Sequence, residues 1–236
     1  MARPITLART EFLRHYWEYA AGEHVTVLGP TGSGKTQLQW ELLNVTATVR
    51  VPAVVLSMKP RDVTTSRWAR RMKLRTVRSW PPPRRLPGQA YPRGWVVWPR
   101  HSFDIDMDDA AHKRIYRDVL QESYRHGDRI VVVDEILAAT DLGLEKIMRA
   151  GWTRGRSMGM GLWGGSQKPT HIPTWAYNQA EHLFLFRDPD KRSRDRFDEI
   201  GGMDSGQLKT WVNSLRKYQC LYVKRTGPAV CVIDSA

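Results

Sequence analysis

One octapeptide limits the folds open to this chain more than any other stretch: Gly29-Pro30-Thr31-Gly32-Ser33-Gly34-Lys35-Thr36. It fits the spacing G-x-x-x-x-G-K-[ST], the apolar run Val25-Thr26-Val27-Leu28 before it reads as a buried strand, and Leu38, Leu42, Leu43 and Val45 after it recur at helical spacing. The glycines let the backbone curl until successive N–H groups point into one concavity at the positive end of the helix dipole, where phosphate oxygens fit. Lys35 would reach the β- and γ-phosphates of ATP, and the Thr36 hydroxyl would hold Mg²⁺.

A length of 236 residues allows one sizeable α/β domain with a full core, and we read residues 1–236 as that single unit. No apolar run approaches the roughly 20 residues that cross a bilayer, so the sequence points to a cytoplasmic protein. Cys220 and Cys231 are too few for a disulfide framework and read as reduced strand residues. The net charge of +13 points to a polyanionic partner. Between Val63 and Phe103 there is no acidic residue, while Arg67, Arg70, Arg71, Lys73, Arg75, Arg78, Arg84, Arg85, Arg93 and Arg100 fall there. Trp68, Trp80, Tyr91, Trp95 and Trp98 are interleaved with them. Such a block would grip a phosphodiester backbone without regard to sequence, and the aromatics would permit base stacking on a single strand. Arg70, Arg71, Lys73, Arg75 and Arg78 are the candidate nucleic-acid contacts. A solvated basic face or a subunit contact is the other reading of the block.

Along the chain, residues 7–20 read as an N-terminal amphipathic helix stopped by Gly22, and 53–57 as the next parallel strand. Residues 62–72 read as a helix capped by Asp62, followed by a long basic, proline-rich loop to a strand at 95–98. A helix is expected over 108–126, a strand over 129–133, a helix over 142–152 and a glycine-rich buried strand over 160–167. A short helix near 173–180, a strand at 183–186, helices around 191–200 and 207–215, and a hairpin of 220–224 and 230–234 complete the reading. Strands alternating with helices give a mostly parallel sheet covered on both faces, with an antiparallel edge at the C-terminus.

Asp134 ends an apolar strand on the expected phosphate edge and can organise the metal; Glu135, next to it, can polarise a water for attack on the γ-phosphate. Gln167 ends the glycine-rich strand, where an amide that both donates and accepts could sense that phosphate or simply finish a strand.

Thr153-Arg154-Gly155-Arg156-Ser157-Met158-Gly159, then Gly164-Gly165-Ser166-Gln167-Lys168-Pro169, then Ala180 to Arg187 with Leu183-Phe184-Leu185-Phe186-Arg187, resemble the FtsK/HerA superfamily of P-loop motors over roughly Val25 to Arg187. The sequence departs from that pattern with Gly-Gly-Ser where Ala-Thr is usual and with Lys168 for arginine. The resemblance implies a RecA-like P-loop NTPase fold of the additional-strand catalytic-glutamate (ASCE) type. It casts Asp134 as the metal-organising acid, Glu135 as the catalytic base and Gln167 as the γ-phosphate sensor. It also implies a homo-oligomeric ring of five or six subunits in which an arginine, Arg156 first and Arg154 second, reaches a neighbour's nucleotide. The activity implied is ATP hydrolysis driving DNA, most plausibly double-stranded, as in a viral or mobile-element packaging motor with a portal-like partner. Two rival classes share the phosphate loop: a small-molecule or nucleotide kinase, and an ATP-controlled nucleic-acid-binding switch that does no mechanical work.

Overall fold

In a computed structural model the residues described are 4–84, 86–168, 170, 172–196, 204–226 and 229–235. Ten strands form one sheet: β1 Ile5–Ala8, β2 Val25–Leu28, β3 Ala53–Leu56, β4 Arg75–Val77, β5 Gly94–Val97, β6 Arg129–Val133, β7 Met160–Ser166, β8 His182–Phe186, β9 Cys220–Lys224 and β10 Ala229–Asp234. Their order is β1-β10-β9-β8-β2-β7-β6-β3-β5-β4. From β8 through β4 every neighbouring pair is parallel; β9 runs antiparallel to both β8 and β10, and β1 pairs parallel with β10.

The helices are α1 Arg9–His15, α2 Lys35–Thr46, α3 Val63–Arg71, α4 Ile105–His126, α5 Ile136–Asp141, α6 Glu145–Arg154, α7 Trp175–Asn178, α8 Lys191–Asp195 and α9 Ser205–Ser214, with a 3-10 turn at Gly155–Met158. They cover both faces. Val54, Leu56, Val131 and Val133 pack with Ile115, Val119, Met148, Trp152 and Leu208 from α4, α6 and α9. On the other face Ala53, Val55, Ile130 and Val132 pack with Phe12, Leu38, Leu42, Leu43 and Trp68 from α1, α2 and α3. The strands are buried on both sides, which is why they read as continuous apolar runs rather than alternating ones. Asp62 starts α3 by accepting from the Thr65 N–H at 2.9 Å, and Asp104 starts α4 by accepting from Met107 N–H at 3.0 Å.

The parallel sheet, the helices on both faces and the antiparallel hairpin match the sequence reading, and Cys220 and Cys231 are buried free thiols on its two strands. Four local expectations are corrected. The N-terminal helix is shorter than 7–20: Leu7 and Ala8 belong to β1, which lies outside the hairpin and takes up the hydrogen-bonding edge of β10. The loop expected after residue 72 contains β4, paired with β5 as Thr76 opposite Val96. Soon after the strand Arg129–Val133 comes α5, a helix absent from the sequence reading, and the helix expected over 142–152 is α6 at Glu145–Arg154; α4 begins at Ile105 rather than 108. Parts of the expected helix around 191–200 and of the hairpin turn at 225–228 lie outside the described residues.

The glycines of β7 have a steric reason. A Cβ on Gly165 would stand 2.5 Å from the Asp134 carbonyl oxygen, a backbone atom with nowhere to go. Gly165→Ala should therefore force the β6 and β7 tips apart, costing about 1–3 kcal/mol. Thermal unfolding should show Tm lower by roughly 2–4 °C for each kcal/mol lost.

Candidate functional site

The parallel strands deliver their C-terminal ends to one edge. Leu28 is paired with Ser166 and with Leu185, and Val133 with Gly164, so the loop after β2, the acids after β6 and the residue after β7 meet there. Gly29 N–H donates to Ser166 O at 3.1 Å, which carries the ladder one step into the loop. Gly32 and Gly34 hold φ of 77° and 103°, conformations that side-chain-bearing residues rarely adopt, and Gly34 caps α2. The N–H groups at the start of α2 thereby face the loop's concavity. Lys35 folds back into it, Nζ donating to Pro30 O at 3.0 Å, and burial lowers its pKa against the opposing pull of Glu135 and Asp134.

Thr36 Oγ1 donates to Asp134 Oδ1 at 3.2 Å, so the two expected metal ligands are neighbours. Gln167 is also where its strand predicts: Thr31 Oγ1 donates to its Oε1 at 2.7 Å, tying the amide to the loop. Glu135 differs from Asp134 although they are adjacent in the chain. Its Oε1 is buried without a hydrogen-bond partner, and burial raises its pKa, with Ser166, the Leu137 N–H and Lys35 offsetting only part of the effect. A carboxylate with a raised pKa and a free buried lone pair is a competent proton acceptor. These groups line a cavity of about 400 Å³ with Ser57, Lys59 and Gln39.

Sequence reasoning missed two residues here. Lys59 Nζ donates to Asp134 Oδ2 at 2.8 Å; burial opposes its charge, but this hydrogen bond and the field of Asp134 outweigh it and raise its pKa. It follows β3 at the same sheet edge, and that strand-tip position was the available signal. Tyr218 stands on the far side of the phosphate loop, in a second cavity of about 440 Å³ with Pro30, Ser33, Phe186 and Arg187. It lies between α9 and β9, outside any motif.

The residues fit Mg²⁺. A threonine hydroxyl and a carboxylate are hard oxygen donors. Among the described residues no group of three or more His, Cys, Asp or Glu side chains is arranged to hold a metal, so a cation here would complete its shell with phosphate oxygens and water, as Mg²⁺ does.

The basic residues divide. Arg70, Lys73 and Arg78 share a groove with Arg61, Ser66 and Trp98, formed by two adjoining hollows of about 480 and 410 Å³. Arg71 instead lies over the Trp68 ring at 4.7 Å, and neither it nor Arg75 lines the groove. Trp68 and Trp80 are buried in the core, which removes them as stacking platforms; Trp80 Nε1 donates to Glu122 Oε2 at 2.6 Å. Arg154 and Arg156 sit before β7, at the sheet edge opposite the phosphate loop. The seven residues of β7 put about 20 Å between those edges. Arg156 pairs with Glu181 at 3.5 Å and Arg154 lies 5.8 Å from the Tyr124 ring centre, so neither can serve its own chain's phosphate site.

No family model matches the chain, and no curated protein sequence does. Solved structures do. The DNA-packaging ATPase B204 of Sulfolobus turreted icosahedral virus superposes with a TM-score of 0.64 at 14% identity, covering 91% of this chain and 98% of that one. B204 of Sulfolobus turreted icosahedral virus 2, in complex with AMPPCP, gives 0.59 at 15% identity, covering 89% and 96%. The pCW3 conjugation coupling protein TcpA, with bound ATPγS, gives 0.51 at 16% identity, covering 91% of this chain and 61% of that one.

Because Glu135 is harder to ionise in the folded chain than unfolded, its charge opposes folding above the unfolded pKa and not below it. Glu135→Gln should raise Tm at neutral pH, and the gain should shrink as the pH falls toward about 4, where the unfolded glutamate is itself protonated. In three dimensions, the chain shares the fold of the DNA-packaging ATPase B204 and of the conjugation coupling protein TcpA.

Proposed function

We propose that the chain hydrolyses ATP to ADP and phosphate and uses the energy to move DNA, as a subunit of a homo-oligomeric ring in a viral or mobile-element packaging motor. The observation that carries this is the pairing at one edge of a compensated acid, Asp134, with an uncompensated one, Glu135, beside a phosphate loop. The fold shared with a DNA-packaging ATPase and a conjugation coupling protein supports it.

In this reading the N–H groups of residues 32–36 and Lys35 hold the triphosphate. Thr36 and Asp134 hold Mg²⁺, which when bound would neutralise charge on the phosphate oxygens. Glu135 accepts a proton from the attacking water, which its raised pKa and free Oε1 equip it to do. Gln167, already linked to Thr31, orients the γ-phosphate side of the site. Tyr218 offers a ring to the adenine in the second cavity. Arg70, Lys73 and Arg78 contact the phosphodiester backbone, a sequence-independent grip suited to translocation. Arg156 or Arg154 would act on a neighbouring subunit's nucleotide.

A kinase needs an acceptor pocket and has no use for a carboxylate like Glu135 aimed at water. Steady-state ATPase assays with and without duplex DNA, over a salt series, test the motor. Turnover should rise with DNA at low salt, the rise should fade as salt increases, and rates indifferent to DNA would refute it. Glu135→Gln should keep nucleotide binding while turnover falls by about 10²–10⁴-fold. The Arg70→Ala, Arg78→Ala double variant should weaken duplex binding across unrelated sequences. The slope of log affinity against log salt should become shallower by about 2, one unit per lost phosphate contact.

A further inference from the structure

We propose that Lys59 links the metal-holding carboxylate to the basic groove, so that nucleotide occupancy changes the groove's hold on DNA. This rests on the motor reading and adds a route by which one site informs the other. Lys59 faces both. Its side chain reaches Asp134 Oδ2 at 2.8 Å and Asp62 Oδ2 at 3.9 Å. Its carbonyl oxygen accepts from Trp98 Nε1 at 2.8 Å, and the Trp98 carbonyl in turn accepts from Arg78 NH1 at 2.8 Å. The second carboxylate, Asp62, caps α3 through the Thr65 N–H at 2.9 Å, and α3 carries Ser66 and Arg70. Both walls of the groove, α3 on one side and the Trp98–Arg78 pair on the other, are therefore anchored at or next to Lys59.

The Asp134 carboxylate cannot serve two cations equally. Oδ1 faces Thr36 and Oδ2 faces Lys59. When Thr36 and Asp134 hold a divalent cation, two further positive charges stand within a few ångströms of the Lys59 ammonium. Lys59 then yields its place on Asp134. Its side chain is 57% exposed, so leaving costs little desolvation and no repacking, and Asp62 is the carboxylate next in reach. Lys35, at the start of α2, and Glu135, at the start of α5, complete the charged surroundings. A shift of the ammonium from Asp134 toward Asp62 alters the α3 cap and the Lys59 backbone on which Trp98 rests. By linkage the effect is reciprocal: DNA in the groove changes the affinity for Mg·nucleotide by the same factor.

The test is fluorescence anisotropy of a labelled DNA duplex at fixed low salt, titrated with protein in the presence and absence of Mg·ATPγS. In wild type the duplex affinity should differ between the two conditions by about fivefold or more. In Lys59→Met, with its own affinities for Mg·ATPγS and for duplex each measured alone and the nucleotide then held at saturation, the difference in duplex affinity should fall below about twofold. Lys59→Arg, which keeps a cation, should retain a difference; Trp98→Phe, which keeps the ring but loses the N–H donor, should lose it. Full wild-type coupling in Lys59→Met, or a wild type that binds both ligands without coupling, overturns the proposal. A wild type that binds no duplex at low salt removes the motor reading, and the proposal with it.

Discussion

A strand held on both sides cannot slip, and β2 is held in parallel by β7 from Val25–Trp163 to Leu28–Ser166 and by β8 from Val25–His182 to Leu28–Leu185. A one-residue shift would turn Val25 and Val27 away from the α2 face and move Leu28 off the α6 face. The start of the strand is fixed by a buried polar set. His182 bridges Glu23 Oε2 at 3.0 Å and the Tyr222 hydroxyl at 2.9 Å. Burial alone would raise the Glu23 pKa, but the bonds from His182 and the Ala20 N–H outweigh it and lower it. With one end locked by these bonds and both edges laddered, the loop that follows Leu28 has one place to be.

The same edge then separates two carboxylates by environment. Asp134 has Thr36 on one oxygen and Lys59 on the other, so its charge is compensated within the protein. Glu135, one residue later, turns into the interior at the start of α5 and leaves Oε1 buried and unpaired. In the proposed function these two environments suit Asp134 to holding a cation and Glu135 to taking a proton. The chain sets this up by ending β6 at Val133, just before the two acids, and opening α5 just after Glu135, with Gly164 and Gly165 letting β7 approach closely.

Much of this was legible in the sequence because it is local. The phosphate loop announces itself by its glycine spacing after an apolar run, and the acids after β6 and Gln167 after β7 by an abrupt polar residue following one. A parallel sheet converts strand ends into neighbours without further information. What escaped depends on pairing across long sequence separations. Ile5-Thr6-Leu7-Ala8 is too short to declare itself and becomes a strand only because β10 lies beside it, more than two hundred residues away. Arg75-Thr76-Val77 looked like loop because its partner follows a proline-rich excursion. Trp68 and Trp80 alternate with arginines in sequence, yet α3 turns Trp68 inward against Trp40 while Arg70 stays outside. Lys59 has a strand-tip position but no motif, and its value appears only when Asp134 is seen 2.8 Å away.

The location of Arg154 and Arg156 constrains any assembly in which they act. The loop after β2 lies at the C-terminal ends of the parallel strands, and these arginines lie before β7 at the other edge. A two-fold dimer brings identical patches of the two chains together, so contact through either edge would set like against like and leave both arginines remote from phosphate. Head-to-tail contact joins unlike patches, and repeated with a closing rotation it makes a ring. An arginine on the edge opposite the phosphate loop cannot reach that loop within one chain, so the proposed role in trans requires that kind of array. Arg156 has in addition to leave Glu181, a buried carboxylate that also accepts from the Thr226 N–H at 2.8 Å. That second donor lets Glu181 release the guanidinium without being left alone in the interior.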